Sequence, residues 1–323
     1  MHSLIIYLIC FHYSIFSQFC KTWLIIEKMS KHDDKLELLK SKDDLERIGT
    51  VRTCTSDNSF MIGLGSHGTC VYLGIDDDGN PVAVKRILTA TTAHLQSVEN
   101  ETKLIDLLKL KRSKHIVSYR DFKLGNPFSY VILDLCEETL ADFVQRKDKD
   151  YLETHGPEII KEILTGLQAL HSGGNKIVHM DLKPENILVD SDDHMRLADF
   201  GISRKLNYNQ TTIETGSKGT PGWMAAESIP KEGEMEGRFK KKSDIQVVGM
   251  ISFYILTKGE HPFGDMYQGR ISNILHGKPV HLNKMTNTTA RKFVKWLIQH
   301  DPKKRPCAEE VLKDSFLQPN AGE

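Results

Sequence analysis

The string Gly63-Leu64-Gly65-Ser66-His67-Gly68, followed by Val71, leaves the chain few folds to choose from, because of what comes after it. Glycines at that spacing let a backbone close over phosphate oxygens with no side chain in the way. The same spacing also opens dinucleotide-binding folds and ordinary hairpins. A dinucleotide-binding fold runs straight into a helix, whereas here Val71-Tyr72-Leu73-Gly74-Ile75 reads on as a strand. The next strand carries Val82-Ala83-Val84-Lys85, with Lys85 22 residues after Gly63. A lone strand lysine ordinarily faces water. Flanked by Val84 and Ile87 and paired with a glycine string, Lys85 becomes a candidate for binding α- and β-phosphates. Such a lysine needs a carboxylate on the following helix. Glu101 has Leu104, Ile105 and Leu108 at i+3, i+4 and i+7, which puts it on the apolar face, while Glu99 has Thr102 and Lys103 and faces water. Glu101 is therefore preferred over Glu99.

The rest of the chain reads as two unlike lobes. Cys70–Ile75 and Val82–Ile87 are strand-like and separated by the turn signal Asp76-Asp77-Asp78-Gly79-Asn80. A helix is expected at His94–Leu110 and a strand at Tyr130–Leu135. After that the pattern turns helical, at Glu158–Ser172, Ser243–Thr257, Thr289–His300 and Ala308–Phe316. A β-rich front and a helical back imply a cleft between them. Length agrees, since 323 residues fit one large domain or two lobes at about 100–200 residues per domain. Forty-three basic against 43 acidic residues exclude a strongly basic nucleic-acid binder. Hydrophobic and charged shares of 39% and 27% exclude a largely disordered chain. The six cysteines (10, 20, 54, 70, 136 and 307) include no Cys-x-x-Cys, so a zinc site or disulfide scaffold is not expected and a reducing compartment is.

The most informative string is Ile177-Val178-His179-Met180-Asp181-Leu182-Lys183-Pro184-Glu185-Asn186, with Asp199-Phe200-Gly201 starting 18 residues after Asp181. With these in order behind the glycine string, the chain resembles a eukaryotic protein kinase of the serine/threonine type. The resemblance runs from Gly63 to Arg305, 243 residues. It implies an α+β fold, a bilobal kinase with a small β-rich N-lobe carrying one key helix and a larger helical C-lobe. It also implies ATP and Mg²⁺ as cofactors. Asp181 would accept or orient the substrate hydroxyl, Lys183 would steady the γ-phosphate, and Asn186 and Asp199 would hold metal. Over the nucleotide would lie Ile62, Gly63, Leu64, Gly65, Ser66, His67, Gly68 and Val71, with Ala83, Lys85 and Glu101. Asp244 matches the residue that holds the backbone of the catalytic loop.

Two departures stand out. Ala225-Ala226-Glu227 replaces the usual Ala-Pro-Glu, yet Glu227 keeps its expected partner Arg305. Met180 stands where many kinases have an arginine that meets a phosphorylated residue of the activation segment. Methionine cannot form that pair, so weak dependence on phosphorylation of Thr211, Thr212, Thr215 or Ser217 is expected. Arg204, Lys205 and Lys218 remain as other cations near that segment.

Further strings are similar to the kinase portion of the unfolded-protein-response sensor kinase/endoribonuclease, the inositol-requiring-enzyme family. They include Leu135-Cys136-Glu137-Glu138-Thr139-Leu140, Gly219-Thr220-Pro221-Gly222-Trp223-Met224 and Gly259-Glu260-His261-Pro262-Phe263-Gly264. By that likeness Asp134 and Cys136 would offer backbone groups to adenine, with Leu133 guarding the pocket behind. No nuclease domain is expected, because six residues follow Leu317. Residues 57–317 are thus read as the kinase domain, divided near 135/136, after a charged linker or short surface helix at 30–56 and before a tail at 318–323. Ser3–Cys20 is an 18-residue run without Asp, Glu, Lys or Arg, 13 of them apolar. It is close to bilayer-spanning length, and Lys21, Lys28 and Lys31 after it would leave the kinase in the cytosol. The alternative is an extension ahead of a start at Met29. Expected partners are proteins with Ser/Thr acceptors, a membrane through residues 3–20 and a second copy of the chain, with no nucleic acid. The competing function is a nucleotide-binding scaffold acting by dimerisation or docking.

Overall fold

The computed structural model describes residues 30–65, 68–89, 92–111, 113–174, 176–216 and 218–318. The apolar head, Ser66, His67, Ser217, the last five residues and the side chain of Glu101 lie outside the described residues. Among the described residues no helix is long and apolar enough to cross a membrane.

Short β-rich runs at the front pair into one antiparallel sheet. After helix α1 (Asp33–Lys40), its strands are β1 (Glu46–Ile48), β2 (Val51–Thr53), β3 (Met61–Leu64), β4 (Cys70–Asp76), β5 (Pro81–Leu88), β6 (Tyr119–Lys123) and β7 (Phe128–Asp134). Their order is β1-β2-β4-β5-β7-β6, and β3 also pairs with β4. The acidic turn closes β4 onto β5 as its residues suggest. Asp76 Oδ1 accepts from the N–H groups of Asp78 (3.1 Å) and Asn80 (2.7 Å), and Gly79 takes a left-handed φ of 85°. The register sets Lys85 opposite Val71 and Val131, and Ala83 opposite Leu73 and Leu133. Helix α2 (Thr92–Lys111) buries Leu104, Ile105 and Leu108, the apolar face read from the sequence.

Residues 30–56 carry the short helix expected as one alternative, α1, but the linker reading is corrected, because β1 and β2 follow it and the segment belongs to the small lobe. The physical reason is a sparse apolar pattern among the charges. Leu36 and Leu39, three apart on one helical face, pack with Cys54, Phe60, Leu73 and Ile75.

The crossing out of β7 leads through strand β8 (Glu138–Thr139) to α3 (Leu140–Arg146) and α4 (Lys149–His171). Helix α4 starts well before the expected Glu158 because Asp148 caps it, accepting from the Tyr151 N–H at 2.7 Å, and Pro157 is carried inside it. Strands β9 (Ile177–Val178), β10 (Ile187–Val189) and β11 (Met195–Leu197) frame the catalytic string. Next come β12 (Arg204–Lys205), β13 (Ile213–Gly216) and β14 (Glu236–Phe239). Helices α5 (Lys241–Leu256), α6 (Tyr267–Leu275), α7 (Thr288–Leu297) and the short α8 (Ala308–Val311) complete the large lobe. Helix α5 is buried nearly all round, as its mostly apolar sequence from Ile245 requires, and packs between α4 and α7; the Gln246 and Ser252 side chains inside it donate to the Ile298 and Val248 carbonyls. The fold is therefore α+β in two lobes, with the apolar core continuous from α2 through α4 to α7.

Candidate active site

The catalytic string is held from below by one carboxylate. Asp244, in the first turn of α5, accepts from the backbone N–H groups of His179 (3.0 Å) and Met180 (3.2 Å). Its Oδ2 also lies 2.8 Å from His171 Nε2, at the end of α4. A carboxylate that takes two backbone donors fixes the loop's path more firmly than packing alone. His179 is fully buried and donates Nε2–H to the Ala198 carbonyl at 3.0 Å; burial lowers its pKa, so the ring is a neutral strut. Phe200 lies beside it, its ring tilted 46° with centroids 4.9 Å apart.

Above that frame the polar groups converge. Asp181 Oδ1 accepts from the Thr220 hydroxyl at 2.8 Å, and its Oδ2 accepts from Asn186 Nδ2 at 3.0 Å. The Lys183 ammonium lies 3.4 Å from Asp181 Oδ2 and donates to Thr220 Oγ1 at 2.7 Å. Asn186 Nδ2 also donates to the Asp181 carbonyl at 2.8 Å, which leaves Oδ1 as the amide's acceptor end. From the small lobe, Lys85 Nζ donates to Asp199 Oδ1 at 2.9 Å. The Lys85 charge holds the Asp199 carboxyl below the usual carboxylate range. Asp199 sits at a left-handed φ of 60° with its side chain exposed.

Glu101's backbone is within α2, but the Lys85–Glu101 pair falls outside the described side chains. Ile62, Gly63 and Leu64 lie in β3, the Gly65 N–H donates to the Thr69 carbonyl at 2.7 Å, and Gly68 takes φ 76°. Ala83, Leu133 and Cys136 are buried in the main apolar core, against which Ile62 and Val71 also pack. Asp134 ends β7 two residues before Cys136. Burial pushes the Cys136 thiol up to about 12, which makes it an apolar contact and not a nucleophile.

The donors suit a hard cation shared with a ligand. Among the described residues no three His, Cys, Asp or Glu side chains could enclose a metal. One carboxylate at Asp199 and one amide oxygen at Asn186 are what an oxygen-seeking divalent ion needs when phosphates supply its other ligands.

Thr220 is the site residue that sequence reasoning passed over. Its string was legible, but a threonine's role beside Asp181 shows only when the segment folds back. Gly219 permits that return: it has φ 97°, and a Cβ there would lie 2.9 Å from the Met180 carbonyl. Met180 itself is buried with Val178, Leu206, Ile213, Met224 and Phe239, so the arginine's place is taken by an apolar plug against the activation segment. Arg204 and Lys218 are each half-buried nearby; burial, and for Lys218 also the Arg204 charge, lowers their pKa.

Comparison with known proteins agrees with this geometry. The family model described as protein kinase domain matches residues 57–317. A probable serine/threonine-protein kinase, irlD of Dictyostelium discoideum, is 32% identical over 291 residues, covering 84% of this chain and 18% of that protein. The human serine/threonine-protein kinase/endoribonuclease IRE2 is 31% identical over 288 residues, 85% of this chain and 30% of its own length. The Schizosaccharomyces pombe sensor for unfolded proteins in the ER, ire1, is 32% identical over 285 residues, 78% and 26% respectively. The chain thus spans less than a third of the length of each of these relatives. The buried Asp244 cradle, the Asp181–Thr220–Asn186 cluster and the match over 57–317 place the chain in the protein kinase family.

Proposed function

We propose that the chain transfers the γ-phosphate of Mg²⁺-ATP to Ser or Thr hydroxyls of proteins. The observation that carries this is the convergence on Asp181: its two oxygens are aimed by Thr220 and Asn186, with Lys183 beside them. Asp181 accepts or orients the substrate hydroxyl, and Lys183 steadies the transferring phosphoryl group. Lys85 pairs with the α/β-phosphates, with Glu101 as its proposed carboxylate partner. Magnesium, held by Asn186 and Asp199, would neutralise charge on the β- and γ-phosphates. Such transfer needs mainly positioning and charge neutralisation, which this set supplies. Part of the same proposal is a stress-signalling role, suggested by the names of the relatives. It also includes a homodimer, suggested by the resemblance, and membrane attachment through residues 3–20, suggested by their apolar run. We extend the domain to 30–317, adding α1, β1 and β2 to the 57–317 that the family model matches, with the small lobe ending near 135.

The test is incubation of the full chain with labelled ATP and Mg²⁺ beside an Asp181→Asn control. Label on the chain itself or on a generic protein substrate, absent from the control, is the expected result. Equal absence from both favours the nucleotide-binding scaffold.

The Met180 plug adds a second expectation. Apolar packing orders the segment without a phosphate, so the chain with alanine at Thr211, Thr212, Thr215 and Ser217 keeps its phosphotransfer rate within about threefold. Loss of most activity in that variant would show that a phosphate is read by other cations, Arg204 and Lys218 first.

A further inference from the structure

Residues 30–40 fold back across the junction between the lobes. Ser30 Oγ and the Lys31 backbone N–H both donate to Glu137 Oε2, at 3.0 and 2.7 Å. His32 Nε2 lies 3.2 Å from the Cys136 carbonyl oxygen. A carbonyl only accepts, so Nε2 carries the proton there. The Lys31 ammonium pairs with the Glu138 carboxylate, which also meets Arg146. Burial disfavours the charge on Glu138, but hydrogen bonds from Arg146 and Lys31 outweigh it and hold the carboxyl below its usual range. Three successive residues of the segment thus grip three successive residues of the crossing.

The other end of the same segment reaches the glycine strand. Lys35 Nζ donates to the Met61 carbonyl at 3.2 Å, and the apolar group that takes Leu36 and Leu39 also receives Ile62 and Leu135. One short piece of chain therefore ties β3 to the crossing. The peptide between Cys136 and Glu137 is held at both ends, by His32 on its carbonyl and by the Val189 carbonyl, which accepts its N–H at 2.8 Å.

We propose that residues 30–40 are a clasp that pre-sets the purine edge of the nucleotide site, with His32 as a positioning residue acting through Cys136. The inference rests on the nucleotide-binding reading of that cleft. Ordering a loop when a ligand arrives costs affinity, and an edge already ordered by contacts outside the site spares that cost. The clasp's contacts on the crossing fall on Cys136, Glu137 and Glu138 and on none of the groups assigned to phosphoryl transfer, so its loss acts on nucleotide affinity and not on turnover.

The experiment compares the full wild-type chain with His32→Ala, His32→Gln and Glu137→Gln, reading kcat, the KM for ATP, and the ATP-dependent rise in melting temperature. His32→Ala is expected to raise the KM for ATP about three- to tenfold, the order for one lost hydrogen bond, with kcat within about twofold. His32→Gln restores the KM, because its amide nitrogen can donate to the same carbonyl. Glu137→Gln, which keeps the shape and weakens the grip of Ser30 and Lys31, raises KM in the same sense. It also covers the case in which His32→Ala fails to fold. An unchanged or lowered KM, a fall in kcat alone, or a His32→Gln chain that behaves like His32→Ala overturns the clasp. A wild-type chain with no ATP-dependent rise in melting temperature overturns the nucleotide reading and the clasp together.

Discussion

An Arg305→Ala chain is expected to unfold about 3–5 kcal/mol more easily, the cost of breaking a buried ion pair from one side. That is a large part of the roughly 5–15 kcal/mol by which domains are usually stable. The reason is the completeness of the arginine's bonding. Its side chain is 0% exposed. Nη1 donates to Glu227 Oε1 at 2.7 Å and to the Lys242 carbonyl at 2.9 Å. Nη2 donates to Glu227 Oε2 at 2.8 Å and to the His300 carbonyl at 2.9 Å, and Nε donates to the Gln299 carbonyl at 2.6 Å. Every guanidinium N–H is used. Alanine removes both guanidinium bonds from the Glu227 carboxylate and one donor from each of three carbonyls; among the described residues the Ser243 hydroxyl still donates to Glu227, at 2.6 Å. Urea unfolding followed by circular dichroism checks it: the midpoint falls while the slope stays the same. A loss under about 1 kcal/mol would mean water replaces the guanidinium, and the pair would then be a surface pair in effect.

That pair also shows what the sequence could and could not reveal. Glu227 and Arg305 were legible as partners although 78 positions separate them, because each sits in a recognisable string. The strands flanking Lys85 and the apolar face of α2 followed from periodicity, which reports burial directly. Residues 30–56 were not legible in that way. Their inward leucines, Leu36, Leu39 and the partly buried Leu45, are diluted by charge, and their value lies in contacts with Cys136–Glu138, more than a hundred positions away, which no local pattern encodes. Thr220 was obscured for the same reason. Its partner Asp181 is 39 positions earlier, and the approach depends on a left-handed Gly219 rather than on any spacing rule. Helix α4 starts nine residues before the expected Glu158, because the Asp148 cap sets its start and Pro157 is carried inside it. A methionine at 180 cannot pair with phosphate on chemistry alone, but its packing with Leu206, Ile213, Met224 and Phe239 shows only in the folded segment.

Asp181→Asn is expected to lower kcat by about 10²–10⁴-fold, the usual worth of a positioned acid–base group, with the KM for ATP within about twofold. The amide has nearly the same shape, so the loop held by Asp244 should stay in place and the melting temperature should barely move. What changes is acceptor capacity. Both carboxylate oxygens are engaged, Oδ1 by the Thr220 hydroxyl at 2.8 Å and Oδ2 by Asn186 at 3.0 Å. An asparagine offers one acceptor and one donor in their place, and its donor must face a partner that already donates. It also has no capacity to take a hydroxyl proton. Thr220→Ala tests the aiming separately. It leaves the carboxylate intact but unpins Oδ1 and releases Lys183 from its 2.7 Å bond, so a smaller fall in kcat is expected, restored by Thr220→Ser, which keeps the hydroxyl. Steady-state rates on a generic Ser/Thr substrate decide both. An Asp181→Asn chain retaining more than about a tenth of wild-type kcat would mean that hydroxyl orientation by the remaining groups, and not the carboxylate, carries the transfer.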